Sequence, residues 1–332
     1  MNHDGRPVDA GGGTLTIGID IGGTKIAAAV VDETGAILRR DRRPTSAAQP
    51  RAIEDSVVEM VRDLSEGLTI AAVGIAAAGF IDASQSVVYY APNIDWRHEP
   101  LREKLEARLR KPTVIDNDAN AAGWAEFRFG AGRDVTDMVM LTLGTGVGGA
   151  IVAGGRLFRG GFGAGGELGH LRLVPGGMPC GCGARGCFEQ YASGRALHRI
   201  ADELADAGGI GAGLAAQREQ HGTLGAAQIS ELIRAADPGA LAALGQIGSA
   251  VGQACASIGA VLDPQMFVVG GGVAAAGDRL LEVVRAQYLD VLPARGFHPQ
   301  PEFRIAHFVN DAGVVGAADL ARLPLATGSL VG

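Results

Sequence analysis

A pattern of strand, glycine turn and strand occurs twice in this chain and limits the folds open to it. The first copy, IGIDIGGTKIAAAV, begins at Ile17, and the second, MLTLGTGVGGAIV, begins at Met140. In each copy an apolar run is typical of a buried strand, and the Gly and Thr residues let the chain turn back. An internal repeat of this kind predicts two related α/β domains that face each other.

The length of the chain, 332 residues, is also more than one hydrophobic core usually supports. We predict a disordered tail at 1–13, a small α/β domain at 14–120 and a large α/β domain at 121–311. A C-terminal helix at 312–323 is expected to pack back on the small domain. The Gly/Ala-rich insert at 207–228 has the composition of a mobile loop, although it could instead alter the surface or the oligomer contacts of the large domain. A helix is predicted to start at Asp237, with Pro238 in its first turn.

Composition excludes several classes of partner. The formal net charge is −7, and no cluster of Lys and Arg offsets it, which argues against a nucleic-acid ligand. No apolar run approaches the length that a bilayer requires, so no membrane association is expected. The first residues are polar and Gly-rich and do not resemble a signal peptide. We therefore expect a cytoplasmic protein.

Three of the four cysteines fall within eight residues, Cys180, Cys182 and Cys187, downstream of His170. This spacing matches a closed tetrahedral zinc site of the Cys3His type, in the loop 170–187. A disulfide framework is the alternative, but it is disfavoured in the cytosol, and Cys180 and Cys182 are too close to bridge each other comfortably. Cys255 lies in an apolar helical pattern and is expected to be a buried small hydrophobe.

The glycine turns offer backbone N–H groups and a Thr hydroxyl, which suit phosphate oxygens. Neither has the spacing of a Walker loop, and a purely structural hairpin turn is the alternative for each. The two matched copies, together with the turn at Gly270–Gly272, favour a nucleotide site. Asp20 precedes the first turn and could hold Mg²⁺ through water, although it could also simply cap the turn.

A third polar group follows a short strand at 113–115, where α/β folds place ligands. Asp116 is predicted to cap the helix that begins there. Asn117 and Asp118 together can bracket sugar hydroxyls, and an acid within hydrogen-bond reach of a hydroxyl can accept its proton. Phosphoryl transfer has a loose transition state, so Asp118 does not need a strongly raised pKa. A solvated acid at a helix start is the alternative for Asp118.

Seven motifs follow one another along the chain: DIGGTK, APNIDW, NDANAA, LGTGVGG, GELGH, CGCGxxGCxE and VVGGGV. Taken in this order, they resemble the ROK family of sugar kinases and repressors, which has the actin/hexokinase fold of two duplicated ribonuclease-H-like domains. The resemblance covers nearly everything from Thr14 to Leu323, and two stretches, APNIDWRHEPL and CFEQYASGRAL, are similar to actinobacterial glucokinases.

The resemblance implies an ATP-dependent kinase that phosphorylates glucose at its 6-hydroxyl, with Mg²⁺, a structural Zn²⁺ and two domains that close around the sugar. It implies Asp118 as the catalytic base, and His170 both as a zinc ligand and as a sugar ligand. The other implied sugar contacts are Asn117, Glu167, Glu189, Gly79 and Asn93. The implied phosphate and adenosine contacts are Gly22, Gly23, Thr24, Gly144, Thr145, Gly146, Gly271 and Gly272. The family also usually forms homodimers or homotetramers.

Several alternatives stay open. The sugar could be an N-acetylhexosamine, mannose or fructose, and the donor could be polyphosphate. A sugar-responsive repressor of the same family would need a DNA-binding domain, and only thirteen residues precede the first strand. A catalytically silent sugar sensor is disfavoured because Asp118 is present. No role for Lys25 follows from the sequence, beyond pairing with an acid at the surface.

Overall fold

We analysed a computed structural model that describes residues 13–327. Of the predicted tail at 1–13, all but Gly13 therefore lies outside the described residues. The chain divides into two compact units. The first comprises the described residues up to Ala125, the segment Gly160–Ala164 and the described residues from Asn310. The second comprises Glu126–Arg159 and Gly165–Val309.

Strands and helices alternate along much of the chain, as expected of an α/β protein. The strands are β1 Leu15–Ile21, β2 Lys25–Val31, β3 Ile37–Pro44, β4 Ile70–Ala77, β5 Phe80–Ile81, β6 Val88–Tyr90, β7 Arg97–Glu99, β8 Thr113–Asn117, β9 Met138–Leu143, β10 Val147–Ala153, β11 Arg156–Leu157, β12 Met266–Gly270 and β13 Glu302–Ile305. The helices are α1 Pro50–Leu64, α2 Leu101–Leu109, α3 Asp118–Phe129, α4 Glu189–Ala192, α5 Gly194–Ala207, α6 Ala212–His221, α7 Ala226–Arg234, α8 Pro238–Leu262, α9 Asp278–Val291, α10 Ala312–Leu320 and α11 Leu323–Thr327.

The main sheets of the two units share one topology. In the first unit the strand order is β3-β2-β1-β4-β8, and in the second it is β11-β10-β9-β12-β13. In both sheets the first three strands pair antiparallel and the last two join in parallel. The repeated sequence pattern thus forms β1 and β2 in one unit and β9 and β10 in the other. The predicted α/β class with duplicated domains is confirmed.

Helix α10 packs on the sheet of the first unit at very short range. The backbones meet where β1 and β4 carry Gly18 and Gly74. A Cβ atom at either glycine would lie 1.7 Å from a carbonyl oxygen of α10. The hydroxyl of Thr16, which is fully buried, donates to the carbonyl of Ala318 at 2.9 Å. Glycine is therefore needed at these two positions of the sheet, because any side chain there would prevent α10 from packing so closely.

Helix α8 is the long central helix of the second unit. Asp237 caps it, accepting a hydrogen bond from the N–H of Ala240 at 2.9 Å, as predicted. By length and composition alone α8 could cross a membrane, so the expectation that no run is long enough was wrong. However, α8 packs against α5 and α9, and most of its apolar residues are buried. Cys255, on this helix, is fully buried as predicted.

The Gly/Ala-rich insert at 207–228 is helical, which corrects the expectation of a mobile loop. A short 3-10 helix, Gly209–Gly211, leads into α6, and α7 starts at Ala226. Ala, Gln, Arg and Glu, which are strong helix formers, dominate α6. Leu214 anchors this helix in the core and is fully buried. Gly208 and Gly222 have positive φ, at the ends of α5 and α6.

Candidate functional site

The carboxyl ends of three parallel strands coincide in the first unit. The register aligns Ile21 of β1 with Ala77 of β4, and Ala77 with Asn117 of β8. Asp20 therefore lies near the end of β1 at the same edge where Asn117 and Asp118 leave β8. The strands β1 and β8 flank β4, so they are separated by about 10 Å. This edge is where ligands bind in α/β sheets.

Asn117, and not Asp116, caps helix α3. Its Oδ1 accepts hydrogen bonds from the N–H groups of Ala119 at 2.8 Å and Asn120 at 3.2 Å. The predicted cap, Asp116, was wrong because β8 pairs with β4 as far as Asn117, which moves the helix start one residue along the chain. The amide nitrogen of Asn117 donates to the carbonyl of Gly79 at 3.0 Å. The side chain that precedes Asp118 is thus held at both ends.

Asp116 instead stabilises the turn between β8 and α3 through hydrogen bonds to its carboxylate. It is buried, and its carboxylate accepts hydrogen bonds from Asn120 Nδ2 at 2.9 Å, Asn117 N at 2.8 Å and Gln85 Nε2 at 3.0 Å. Gln85 has a left-handed backbone, φ 56°, in a turn that the carboxylate of Asp82 closes. Sequence reasoning missed Gln85; the one signal for it is the turn-forming run Asp82-Ala83-Ser84 just before it.

Asp118 and Asp20 lie in a setting that disfavours negative charge. Burial raises the pKa of Asp118 above that of an ordinary aspartate, although phosphoryl transfer does not require a strongly raised value. Burial, followed by the charge of Asp118, raises the pKa of Asp20 to about 6, and Lys25 opposes this rise. Lys25 therefore has an electrostatic effect on Asp20. Such perturbed carboxyl groups are typical of catalytic and cation-binding sites.

The first glycine turn and the segment around Asn93 lie next to each other. The N–H of Gly22 donates to the carbonyl of Lys25 at 3.0 Å and closes the turn. A Cβ atom on Gly23 would lie 3.0 Å from the Cβ of Asn93. At Gly79, φ is 152° and a Cβ would lie 2.5 Å from the carbonyl of Tyr90, so only glycine is suited to this position. The structure therefore brings Gly79, Asn93, Asn117 and the first turn together within one unit.

The second glycine turn has a close neighbour in the turn after β12. The N–H of Gly144 donates to the carbonyl of Gly146 at 3.0 Å. Gly271 has φ 85°, and a Cβ there would lie 2.5 Å from the carbonyl of Leu143. The parallel strands β9 and β12 thus end side by side, with one Gly turn after each. This brings Gly144, Thr145 and Gly146 close to Gly271 and Gly272, as a nucleotide site requires.

The loop 170–187 gathers the four predicted zinc ligands. One ligand atom from each of His170, Cys180, Cys182 and Cys187 lies within 4.8 Å of all the others. Cys182 Sγ and Cys187 Sγ are 3.7 Å apart, and Cys180 Sγ is 3.8 Å from His170 Nδ1. Tetrahedral zinc with Zn–S bonds of about 2.3 Å would hold two sulfur atoms about 3.8 Å apart. The donor set and its spacing therefore suit zinc.

The four cysteines form no disulfide. Burial raises the pKa of the Cys187 thiol to about 12, and a bound dication would reverse this by stabilising the thiolate. The N–H of Gly183 donates to the carbonyl of Cys180 at 3.0 Å, and φ of Gly183 is 88°. The loop therefore folds into a tight turn that places the thiols on one side.

Glu189 joins the Cys/His cluster to the second glycine turn. Its Oε2 accepts a hydrogen bond from the N–H of Val147 at 3.2 Å, and its Oε1 lies 3.9 Å from Cys180 Sγ. A Cβ on Gly146 would lie 2.2 Å from Glu189 Oε2, so the missing side chain makes room for the carboxylate. The arrangement fixes the acid beside the turn that is a candidate for phosphate binding.

The segment 166–170 lies along the start of β10. A Cβ on Gly169 would lie 2.1 Å from the carbonyl of Val147. The N–H of His170 donates to the carbonyl of Glu167 at 3.1 Å within a 3-10 turn. Glu167, His170 and Glu189 are therefore all placed around the β9–β10 hairpin. The structure brings the three predicted sugar contacts of this unit to one region.

A cavity of about 580 Å³ opens beside the second glycine turn. Of the predicted nucleotide contacts, Gly144, Thr145 and Gly272 line it, whereas Gly146 lies against Glu189. Leu143 and Val273 also line it, and its remaining walls come from α5 and α7, which sequence reasoning did not assign to any site. The cavity has the size and mixed lining of a small-molecule site.

Three comparisons with known proteins bear on this geometry. A model of the ROK family matches residues 16–323. A glucokinase of Streptomyces coelicolor is 46% identical over 312 residues, covering 93% of this chain and 98% of its own. An N-acetylmannosamine kinase of Escherichia fergusonii is 38% identical over 309 residues, covering 92% of this chain and 98% of its own.

A solved structure agrees with these relatives. The crystal structure of a ROK family glucokinase from Streptomyces griseus, in complex with glucose and AMPPNP, superposes with a TM-score of 0.82. The two chains are 45% identical, and the match covers 93% of this chain and 99% of the other. Together with the duplicated sheets and the Cys/His cluster, these findings show that the chain belongs to the ROK family.

Proposed function

We propose that the protein is a glucokinase that transfers the terminal phosphoryl group of ATP to the 6-hydroxyl of D-glucose. The setting of Asp118 carries the activity: a desolvated carboxyl group at the carboxyl end of β8, held by the cap of Asn117 and the support of Asp116. Several hexoses share the hydroxyl groups that these side chains would bind. The identity of the sugar therefore rests on the glucose-bound relative from Streptomyces griseus.

Asp118 acts as the general base. It orients the attacking hydroxyl and accepts its proton as the new P–O bond forms, while the bridging oxygen of ATP leaves with its electron pair. Because the transition state is loose, this proton moves late, and the base needs position more than strength. The raised pKa of Asp118 makes the carboxylate a somewhat better proton acceptor than an exposed aspartate.

Sugar binding is assigned to the polar groups that the family resemblance implies. These are Asn117, Asn93 and the backbone at Gly79, together with Glu167, His170 and Glu189. Metal binding would fix the orientation of the His170 ring. If its Nδ1 binds the metal, its Nε2–H remains as a hydrogen-bond donor of fixed direction. Carboxylates and amides of fixed orientation distinguish hydroxyl positions on a hexose.

Phosphate binding is assigned to the two glycine turns. Gly22, Gly23 and Thr24 offer N–H groups and a hydroxyl, and so do Gly144, Thr145 and Gly146. Gly271 and Gly272 are assigned to the border of the adenosine. The cavity of about 580 Å³ beside Thr145 and Gly272 supports a nucleotide, since inorganic polyphosphate has no group to fill it.

Two metal ions would contribute to the site, one at the donor phosphates and one in the loop 170–187. Mg²⁺ would be held by Asp20, whose pKa of about 6 reflects its burial and then the charge of Asp118; a bound cation would offset both effects. The ion would neutralise charge on the donor phosphates. Zn²⁺ would be held by His170, Cys180, Cys182 and Cys187 and would fix the loop that carries the sugar contacts. Reduced thiols are required for this, in keeping with a cytoplasmic location.

A second candidate function is a kinase for another hexose. The relative from Escherichia fergusonii, at 38% identity, makes N-acetylmannosamine the alternative with the most support. A homodimer or homotetramer is proposed for the assembly, as the family resemblance implies.

A panel assay tests the proposed function. ADP release is measured with Mg²⁺ and ATP over glucose, mannose, fructose, N-acetylglucosamine and N-acetylmannosamine, and the best sugar is then tested with polyphosphate. Glucose with ATP is expected to give a kcat/KM at least about tenfold above any other pair. A larger value for another sugar would reassign the substrate. Sugar binding with no turnover on any pair would refute a kinase.

A further inference from the structure

The cavity beside Thr145 is built by elements that lie far apart in the sequence. Helices α5 and α7 contact each other, and both contact the short 3-10 helix Gly272–Ala276 that follows β12. Along α5, Arg195 and His198 are three residues apart and share a face of the helix. On α7, Ala226 and Ser230 are four residues apart and share a face in the same way. All four residues line the cavity.

Arg195 lies at the end of the cavity that adjoins the glycine turn. Its Nε donates a hydrogen bond to the carbonyl of Thr145 at 2.8 Å. Its Nη2 is 4.0 Å from Glu189 Oε1, too long and too exposed for a strong ion pair, since 69% of the Arg195 side chain is accessible. A guanidinium group has five N–H donors, so four remain after the bond to Thr145. The turn thereby fixes the direction in which these donors point.

Among the described residues that line the cavity, Arg195 alone carries a formal charge. A single fixed cation at one end, beside the backbone N–H groups of the turn, suits the anionic part of a ligand. Arginine binds phosphate oxygens well because its planar fork matches their geometry.

The rest of the cavity is neutral. His198 and Ser230 are half-buried, and within residues 13–327 neither side chain has a hydrogen-bond partner. Leu143, Leu197 and Val273 supply apolar surface beside them. A ligand part with a flat apolar face and a few polar atoms, such as a nucleoside, suits this lining.

We propose that Arg195 binds the phosphate chain of the donor nucleotide, while His198 and Ser230 bind its nucleoside. These three side chains then determine the donor: Arg195 favours any polyanion, and His198 and Ser230 restrict the site to nucleotides. The inference rests on the proposed function for the identity of the ligand as ATP. The end of the insert at 207–228 forms the first turn of α7, the helix that supplies Ser230.

The test separates phosphate binding from nucleoside binding. Dissociation constants for adenosine and for ADP, without Mg²⁺, are measured by calorimetry on the full chain and on the variants Arg195→Ala, His198→Ala and Ser230→Ala. Arg195→Ala is expected to weaken ADP binding about 10- to 100-fold and to leave adenosine binding within about twofold, because charged hydrogen bonds contribute most. His198→Ala and Ser230→Ala are each expected to weaken both ligands about 3- to 10-fold.

Arg199→Ala is the matched control. It removes the same charge from the same helix, but Arg199 bonds to Glu203 at 2.8 Å and does not line this cavity. Melting temperatures show whether each variant is folded. The proposal is wrong if Arg195→Ala binds ADP as the wild type does or no more weakly than Arg199→Ala. It is also wrong if His198→Ala and Ser230→Ala leave adenosine binding unchanged.

These results can be distinguished from a failure of the proposed function. If the variants show the expected pattern with adenosine and ADP but the protein does not phosphorylate glucose, the nucleotide site is supported and the glucokinase assignment is wrong. If the protein phosphorylates glucose with ATP but binds ADP equally well without Arg195, the activity is supported and this inference is wrong.

Discussion

Asp20 and Asp118 lie at the same edge of one sheet, and the charge of Asp118, added to the larger effect of burial, raises the pKa of Asp20 to about 6. The first unit thus concentrates two carboxyl groups where their negative charges are unfavourable. Such an arrangement lowers the stability of the protein without ligands, and it is consistent with a site that a cation and a substrate complete.

The first prediction concerns the loss of stability that the buried charge of Asp20 causes. An acid whose folded pKa is raised stabilises the fold below its unfolded pKa, here 3.8, and loses that contribution as the pH rises through about 6. Asp20→Asn removes the titration and keeps the shape. At pH 7.5 without Mg²⁺, the variant is expected to be more stable than the wild type by at most about 3 kcal/mol. Denaturant unfolding from pH 4 to 8 measures this.

The advantage of Asp20→Asn should shrink towards zero as the pH falls to 4, because the wild-type carboxyl group is then largely protonated. A difference in stability that does not change with pH, or a variant less stable than the wild type at pH 7.5, would show that Asp20 is not destabilised by its surroundings.

A second prediction follows from the contact between Gly146 and Glu189. In Gly146→Ala the new methyl group would meet Glu189 Oε2 at 2.2 Å. This atom is the far end of a flexible side chain, so the fold should survive with a loss of about 1 kcal/mol or less. The carboxylate must move, however, and glucose affinity should fall about tenfold or more. Calorimetry with glucose alone measures the effect.

Gly144→Ala is the matched control for glucose binding. A Cβ at Gly144 meets no atom within 4 Å, so Glu189 should stay in place and glucose affinity should not change. Equal losses of glucose affinity in the two variants would indicate that the turn as a whole, rather than the position of Glu189, is responsible.

A third prediction concerns the metal. Cys187→Ser replaces a buried ligand and is expected to lower the zinc content from about one ion per chain to near zero and to lower the melting temperature, since metal binding contributes to folding. Elemental analysis and calorimetric melting measure both. Cys255→Ala, outside the cluster, should keep its zinc. Full zinc content in Cys187→Ser would exclude the tetrahedral site.

The sequence predicted those parts of the site that depend on local spacing. The Cys/His ligands lie in one loop, and each glycine turn follows its own strand, so residue type and distance along the chain were sufficient. The duplicated sheets followed from the same repeat, since matched strands and turns fold alike.

Features that depend on tertiary packing were not predictable. Arg195 and Ser230 face one cavity only because α5 and α7 pack together, and no pattern in either helix indicates this. The cap of α3 was misplaced by one residue because the end of β8 is set by its pairing with β4, at Ala77 and Asn117. Boundaries of this kind are decided by neighbours rather than by the local sequence.

The most direct test of the account is the turnover of Asp118→Asn. Asparagine keeps the oxygen that accepts the N–H of Ala119 at 2.9 Å, so the variant should fold and bind glucose with an affinity within about threefold of the wild type. Without a base, kcat for glucose and ATP is expected to fall about 10²- to 10⁴-fold. Near-normal kcat in a folded, glucose-binding variant would contradict the assignment of Asp118 as the catalytic base.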